Sequence, residues 1–387
     1  MSNTADVIII GAGVQGASLA FHLAKRGANV IVLEKKFIAA GATGRSSGLV
    51  RMHYDVKQDS ELAWVSFQYF RNWKEMVGGD SGFTRTGFIQ LVAHDDVEKL
   101  KANVAMHQDI GIPTVLIKAD DVKRLAPSFA VDDIDFAAYE PESGYAMPSD
   151  TANAFINAAK EKGACIVQDC AVTGIIGDGK IKGVQTTQGE FYAPVVVNAA
   201  GAWAGKLNEL AGLNLPYDTW RHDTMFVARP SQIGPTHPTV IDFAHEMYFR
   251  PEGNLTLVGL EDGNPLGELP DSDTDHAKKG FVERGIDRIC QRIPIMENGA
   301  LHSAHGGYDG ITPDQHPMIG AAGPDGFYLN CGHSGTGFKT SPAVGLCMSE
   351  LILDGKFKTI DLSIYRPQRF AEGKQIVGEH PYSSIWR

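Results

Sequence analysis

Residues 7–35 read VIIIGAGVQGASLAFHLAKRGANVIVLEK, and this stretch decides the fold. A short β-branched run ends in glycine, a segment with apolar residues at helical spacing runs from Val14 to Lys25, and a second apolar run closes on Glu34. A strand, a helix and a strand within about thirty residues form the crossover unit that parallel sheets require. The stretch therefore predicts a Rossmann-type α/β domain.

Gly11, Gly13 and Gly16 follow the first strand with the spacing G-x-G-x-x-G and open the helix. Gly11 permits a tight turn, Gly13 lets the backbone approach a pyrophosphate, and Gly16 lets the helix pack on the strand. The free amides and the dipole of the helix N-terminus favour negative charge there. Glu34, about twenty residues further on, can accept hydrogen bonds from both hydroxyls of an adenosine ribose. The pattern predicts a dinucleotide site, with a purely structural turn as the alternative, and NAD and FAD share this fingerprint.

The composition narrows the class of protein. The 387 residues carry 46 acidic and 35 basic side chains, a net charge of −11, which disfavours sequence-independent binding to nucleic acid or anionic lipid. No apolar run has the length of a membrane span. The five cysteines are scattered without a C-x-x-C pair, so we expect no metal site and no disulfide framework. A cytoplasmic location is the corresponding expectation.

The order of predicted elements indicates two interleaved domains. Strand, helix and glycine-rich turn patterns at the start, middle and end of the chain predict a nucleotide-binding α/β domain from residues 1–81, 149–215 and 305–387. Alternating strands with a helix predict an inserted α+β domain, for the substrate, from residues 82–148 and 216–304.

Five segments make the chain resemble a known family, the D-amino-acid-oxidase-like (DAO) family of FAD enzymes, in its branch of sarcosine oxidases, glycine oxidases and proline dehydrogenase β-subunits. The segments are VIIIGAGVQGASLAFHLAKRGANVIVLEK, GATGRSSGLVR (41–51), VVVNAAGAW (195–203), YDGITPDQHPMIG (308–320) and GHSGTGFKTSPAVG (332–345). The resemblance implies an α/β plus α+β fold, in which a Rossmann-type FAD-binding domain is interleaved with an antiparallel-sheet substrate domain.

The resemblance also implies which residues contact FAD. The ATG loop, residues 42–47, would follow the pyrophosphate and ribityl chain, with Arg45 donating charge-assisted hydrogen bonds to phosphate. Val172 would pair its backbone with the adenine, and the glycine-rich turn before the last helix would place a helix N-terminus near the flavin. The full predicted set is Gly11, Gly13, Val14, Gln15, Gly16, Glu34, Lys35, Ala42, Thr43, Arg45, Ser46, Ser47, Gly48, Val172, Ala200, Gly201, Trp203, Gly306, Gly335, Thr336, Gly337, Phe338 and Lys339.

One departure from the family concerns covalent attachment of the flavin. In monomeric sarcosine oxidases a cysteine linked to the flavin stands two residues before the tyrosine matched by Tyr308. This chain has Gly306 at that position. We therefore expect non-covalent FAD.

On the substrate side, the family holds an amino-acid carboxylate with an arginine after the ATG loop and a lysine in the G-F-K turn. Arg51 and Lys339 occupy those positions, and two converging cations form a clamp for a small anion. Surface cations paired with acids are the alternative interpretation. Tyr54, His222, Met225, His305 and His333 are further candidates to line the site, and His53 and Tyr248 are favoured.

The predicted function is oxidation of the C–N bond of an amino acid, at a secondary or N-methylated amine of sarcosine, proline or iminodiacid type. Alignment with the oxidase strand puts Leu257 at the position of a lysine that promotes reaction with oxygen and Glu261 at that of a histidine. A dehydrogenase that passes electrons to an acceptor protein or partner subunit is therefore favoured. The alternatives are a 2-hydroxy-acid dehydrogenase of the same fold and a flavin-carrying subunit of a larger complex.

Overall fold

A computed structural model describes residues 3–262 and 266–383 of the chain. The outer limits of the predicted domains, at residues 1 and 387, and residues 263–265 of the predicted substrate domain lie outside these ranges. Within the ranges, no helix combines the length and the apolar character needed to cross a lipid bilayer.

The helices and strands are numbered in chain order. The strands are β1 Val7–Ile10, β2 Val30–Leu33, β3 Leu49–Val50, β4 Thr84–Arg85, β5 Phe88–Leu91, β6 Val115–Lys118, β7 Phe136–Glu140, β8 Gly144–Tyr145, β9 Cys165–Val167, β10 Val172–Gly177, β11 Ile181–Thr186, β12 Gly189–Tyr192, β13 Val195–Asn198, β14 Asp218–Ala228, β15 Thr239–Asp242, β16 Met247–Glu252, β17 Leu255–Leu260, β18 Ala300–Ile311, β19 Met318–Ala321 and β20 Phe327–Cys331. The helices are α1 Val14–Lys25, α2 Ala42–Arg45, α3 Lys57–Arg71, α4 Trp73–Met76, α5 Val97–Ile110, α6 Ala119–Leu125, α7 Pro148–Glu161, α8 Ala204–Leu210, α9 Phe281–Arg292 and α10 Gly337–Asp354.

The first large sheet has the strand order β19-β20-β13-β1-β2-β9. Its pairs run parallel except β19 with β20, and β1 lies in the centre with Val7 opposite both Val30 and Val195. The residues of β1 and β2 are buried on both faces, as strands of a covered parallel sheet must be. The predicted crossover β1-α1-β2 is present, which confirms the Rossmann-type unit.

Helix α1 packs between this sheet and the helices α7 and α10. Two glycines permit these close contacts. A Cβ atom at Gly16 would overlap the carbonyl oxygen of Gly11, and one at Gly345 would overlap the hydroxyl of Ser18. The helix therefore approaches β1 and α10 more closely than alanine would allow.

The second large sheet has the order β18-β14-β17-β16-β15-β5-β7-β6. Apart from the parallel pair β5–β15, its neighbouring strands run antiparallel. One face packs through Met225, Phe249 and Val258 against α9. Because side chains alternate along a strand, Tyr248 and Leu257 point to the opposite face, where they pack with Leu49 of β3.

Strand β18 runs through residues 304 and 305, where the sequence predicts a change of domain, and pairs along its length with β14. The three-stranded sheet β3-β8-β4 likewise joins strands from both predicted domains. The two parts thus share continuous strands, and the domain limits themselves stay a prediction.

Gly345→Ala tests the close crossing of α1 and α10. Overpacking costs about 1–3 kcal/mol, whereas replacing glycine in a helix with alanine gains about 1 kcal/mol. We expect a net loss of up to about 2 kcal/mol in the free energy of unfolding, measured by urea denaturation, because the added methyl meets the α1 backbone at Ser18 and Leu19 as well as the Ser18 hydroxyl.

Gly285→Ala in α9 is the matched control. Its added methyl would meet the Cε atom of Met225, the far end of a flexible side chain that can move aside. We expect little or no loss of stability for this variant. A larger loss for Gly285→Ala than for Gly345→Ala would contradict the packing described.

Candidate functional site

A cavity of about 1090 Å³ lies between the carboxyl ends of the first sheet's strands and the second large sheet. It begins at Glu34 after β2, passes Gly11 and the ATG loop, and ends at Lys339 and Tyr248. Ligands of open α/β sheets bind at this edge, where strand order reverses. The cavity is therefore the candidate cofactor and substrate site.

The turn after β1 is fixed by backbone geometry and by two side chains. Gly11 has φ +106°, a conformation that favours glycine, and its N–H donates to the carbonyl of Leu33 at 2.8 Å. The Glu34 carboxylate accepts from the amide of Ala12 at 2.9 Å, and the Thr43 hydroxyl accepts from the amide of Val14 at 3.0 Å. Glu34 and the ATG loop are thus both held against the N-terminus of α1.

Several buried polar atoms on the cavity wall have no hydrogen-bond partner among the described residues. They are Gln15 Oε1, both ring nitrogens of His222, Asn330 Nδ2 and Glu261 Oε2. Gly201 has φ +52°, and an added Cβ there would meet no atom within 4 Å. Buried polar groups are normally paired, so these atoms fit a ligand that carries both donors and acceptors, as FAD does.

Most of the predicted cofactor residues line this cavity. They are Gly11, Gly13, Val14, Gln15, Glu34, Lys35, Ala42, Thr43, Arg45, Ser46, Ser47, Val172, Ala200, Gly201, Trp203, Gly335, Gly337, Phe338 and Lys339.

Gly16, Gly48, Gly306 and Thr336 do not line it. Cβ atoms at Gly16 and Gly48 would overlap backbone carbonyls, and one at Gly306 would overlap the Arg221 guanidinium. The Thr336 hydroxyl donates to the carbonyl of His333 at 2.7 Å. The structure thus gives these four residues packing contacts instead of a cavity surface.

Residues 267–271, within the segment 266–280, line the cavity, a feature that the sequence did not predict. Asp271 accepts from Lys35 at 2.8 Å and from the indole of Trp203 at 3.1 Å. Arg45 donates to the carbonyl of Thr274 at 2.9 Å and lies 3.2 Å from Asp275. Its guanidinium therefore already has protein partners, whereas the sequence predicted phosphate contacts for it.

At the far end of the cavity, Arg51 and Lys339 converge on one aromatic ring. The Arg51 guanidinium lies 4.3 Å from the centroid of the Tyr54 ring, and Lys339 Nζ lies 5.9 Å from the same centroid. Arg51 also donates to the carbonyl of His53, and Lys339 to that of Gly335. Both cations are buried, so an anion between them would be shielded from water.

Burial and the neighbouring Arg51 charge hold the pKa of Lys339 well below its ordinary value. Burial also raises the pKa of Glu261 to about 7, against the opposing influence of Arg51 and Lys339. An anionic ligand would favour the charged form of Lys339. The side chains at this end of the cavity are thus suited to binding a small charged molecule.

Tyr248 lines the same end, and its position depends on Gly259. The ring lies across Gly259 on the neighbouring strand β17, where any Cβ atom would overlap it. Burial raises the pKa of Tyr248, which keeps the phenol protonated and able to donate a hydrogen bond.

His53 is not brought to this cavity. It lines a smaller cavity of about 290 Å³, which shares Arg51 and Gln315 with the larger one. There its Nε2 lies 2.6 Å from the hydroxyl of Tyr382, and its ring packs on His107. Burial lowers its pKa, so the ring is neutral. Sequence spacing placed His53 near Arg51 but gave no sign of its contact with Tyr382.

Of the other candidates, His222 and His333 line the larger cavity. Burial lowers the pKa of both to about 3, so both rings are neutral at physiological pH. His305 does not line either cavity. Met225 packs in the core beneath the second sheet.

The fold and this cavity together define a Rossmann-type protein with a dinucleotide site. The FAD-dependent oxidoreductase (DAO) family model matches residues 6–351, and the chain belongs to that family. The resemblance predicted from the sequence is confirmed, and FAD is the cofactor.

Three similar proteins show how much of the chain the similarity covers. The chain is 28% identical to sarcosine oxidase subunit beta of Arthrobacter sp., covering 98% of this chain and 94% of that one. It is 28% identical to mitochondrial sarcosine dehydrogenase of Mus musculus over 96% of this chain, but spans only 42% of that protein's length. The crystal structure of L-proline dehydrogenase from P. horikoshii superimposes with a TM-score of 0.90 at 29% identity, covering 97% of this chain and 100% of that one.

Asp271→Asn tests whether residues 266–280 retain FAD. The exchange removes the charge that pairs with Lys35 but keeps an oxygen for the indole of Trp203. Because the carboxylate is largely exposed, we expect FAD to dissociate only about two- to fivefold faster at low ionic strength, and salt to reduce the difference.

The measurement is the recovery of flavin fluorescence after dilution of the loaded protein. Asp287→Asn, at an exposed position on α9, is the matched control and should release FAD like the unmodified protein. Equal release rates for all three proteins at low salt would show that Asp271 does not retain the cofactor.

Proposed function

We propose that this chain catalyses FAD-dependent oxidation of the C–N bond of an amino acid with a secondary or N-methylated amine. The observation that carries the proposal is the pair of buried cations, Arg51 and Lys339, at one end of the FAD cavity. A planar guanidinium can bind a carboxylate through two parallel hydrogen bonds, and the lysine adds a second charge. The relatives named for sarcosine and proline support an amine as the group oxidised.

The chain's own residues would act mainly by orientation. Arg51 and Lys339 would hold the carboxylate, and Tyr248 would donate a hydrogen bond from its protonated phenol, so the carbon next to nitrogen is fixed towards the flavin. Bound FAD supplies the two-electron acceptor, after which water hydrolyses the imine product.

We further propose a dehydrogenase that passes electrons to another protein or subunit. Leu257, aligned with the lysine of the oxidases, is buried with Phe88 and Ile241 in an apolar cluster. An apolar residue at that position cannot stabilise the charge that develops as oxygen is reduced. The similarity to a protein named as a subunit supports a partner chain.

Gly306 supports non-covalent FAD, because glycine offers no atom for a flavin link. Dissociation of FAD on dilution, in the Asp271 experiment, tests this proposal too. A covalently attached flavin would remain with the protein.

Anaerobic bleaching of the flavin tests the proposed reaction. Purified protein is mixed without oxygen with N-methyl amino acids, proline derivatives, iminodiacids and 2-hydroxy acids, and oxygen is then readmitted. We expect loss of the visible absorption band of the oxidised flavin with a secondary or N-methylated amino acid, and slow recovery in air. Bleaching by 2-hydroxy acids alone would contradict amine oxidation, and recovery as fast as reduction would contradict a dehydrogenase.

Lys339→Met tests the carboxylate clamp. A hydrogen bond to a charged group contributes about 1.5–3 kcal/mol, so we expect the dissociation constant of the amino acid to rise about 10- to 100-fold. FAD content should change little, because most of the cofactor surface lies elsewhere along the cavity. The dissociation constant comes from the substrate dependence of anaerobic flavin reduction.

Lys160→Met, at an exposed position on α7, controls for the general loss of a lysine and should bind substrate normally. Parallel losses of FAD and of substrate affinity in Lys339→Met would contradict a role in substrate binding.

A further inference from the structure

Glu261 is a buried carboxylate at the substrate end of the cavity. It directly follows β17, and its amide donates to the carbonyl of Glu246 at 2.8 Å, which fixes the backbone there. The residue is 8% exposed and lines the cavity together with Arg51, Lys339 and Tyr248. Its Oε2 atom is buried and has no hydrogen-bond partner in the described part of the chain.

Burying a carboxylate oxygen without a hydrogen-bond partner costs free energy. A ligand of the cavity is therefore the expected partner of Glu261. The two neighbouring cations have other contacts. Arg51 donates to the carbonyl of His53 and stacks on Tyr54, and Lys339 donates to the carbonyl of Gly335. Glu261 thus presents an acceptor to the cavity while the cations lie beside it.

This arrangement matches the charges of an amino acid. A zwitterion has a carboxylate for Arg51 and Lys339 and, on the α-carbon next to it, an ammonium group for the carboxylate of Glu261. We propose that Glu261 binds the amine nitrogen of the substrate and accepts its proton before oxidation. This inference rests on the proposed oxidation of an amino acid and assigns the acid/base residue of that site.

The proton transfer balances without a further reactant. The N–H bond of the ammonium group breaks, its electron pair stays on nitrogen, and the proton forms an O–H bond with Glu261. The neutral amine now has the lone pair that assists loss of hydride from the adjacent carbon. In the later step the substrate loses two electrons and FAD gains them.

The charged and titratable groups around Glu261 make this transfer feasible near neutral pH. Burial raises the pKa of Glu261, and Glu246 before β16 raises it further. Arg51, directly after β3, and Lys339 on α10 lower it, and the resulting pKa is about 7. Tyr248 on β16 remains protonated. Because the base must be ionised, flavin reduction should speed up as pH rises through about 7.

The test compares Glu261→Gln with the unmodified holoenzyme in anaerobic rapid mixing from pH 6 to 9. The amino acid is the one that bleaches the flavin fastest in the panel. Positioned bases contribute about 10²- to 10⁴-fold, so we expect at least about a 100-fold slower limiting reduction in the variant and no rise in rate through neutral pH. Glu261→Asp, which keeps a carboxylate, should regain part of the rate and the pH dependence.

Binding of an amine-free isostere separates this role from a structural one. Tetrahydrofuran-2-carboxylate has the ring and carboxylate of proline but an ether oxygen in place of N–H, and its binding is read from the flavin spectrum. We expect its dissociation constant to change less than about threefold in Glu261→Gln, because Arg51 and Lys339 are intact. Glu283→Gln, exposed on α9, should match the unmodified protein in both measurements.

Each other outcome has a definite meaning. An unchanged rate and pH profile in Glu261→Gln, or an equal loss of isostere binding and FAD, would overturn the role of Glu261 while the proposed function stands. No reduction of the unmodified protein by any amino acid would overturn the proposed function and this inference with it.

Discussion

The close contact between Gly16 and the carbonyl oxygen of Gly11 sets the position of α1, and the geometry of the site depends on that helix. At its N-terminus, amides meet the carboxylate of Glu34 and the ATG loop. Gln15, one residue before Gly16, donates to the carbonyl of Gly337 at 2.7 Å and so connects α1 to the start of α10. Lys339 lies in the first turn of that helix. One backbone contact thus relates the end of the cavity at Glu34 to the end at Lys339.

The charged side chains at one end of the cavity, Arg51, Lys339 and Glu261, are best considered together. The chain as a whole carries a net charge of −11, which would repel an anionic substrate. Arg51 opposes that field locally, and Lys339 adds its charge when an anion is bound beside it, because the cavity excludes most of the water that would screen them. Removing ions from water costs several kcal/mol each, and a ligand with both charges satisfies the cations and Glu261 together. This complementarity favours a zwitterion over a simple carboxylate.

The features predicted from the sequence are those encoded by local patterns. The crossover β1-α1-β2 follows from residue spacing within one short segment, and the positions of Gly11 and Glu34 follow from it. The family resemblance locates the ATG loop and the final helix. Thr43 of the ATG loop contacts Val14 of α1, 29 positions away, whereas Gly337 of the final helix contacts Gln15 across 322 positions. The sequence therefore predicts those features of the fold that short-range geometry or a known motif determines.

The features that the sequence did not predict depend on contacts between residues far apart in the chain, which no sequence motif encodes. Residues 266–280 are held at the cavity by Asp271, which accepts hydrogen bonds from Lys35 and Trp203. These two partners come from two distant segments of the chain. His53 lines the smaller cavity, where its ring contacts Tyr382 from near the other end of the chain. The strand β18 crosses the predicted domain limit because its pairing with β14 continues through it.

The central claim is that an amino acid lies between two cations and one carboxylate beside FAD. The most direct measurement is a crystal structure of the FAD-loaded protein with pyrrole-2-carboxylate, an unreactive ring that carries both N–H and carboxylate. The account predicts carboxylate oxygens about 3 Å from Arg51 and Lys339 and a ring N–H directed at Glu261. A ligand with its carboxylate away from both cations, or one bound only in the cavity beside His53, would contradict it.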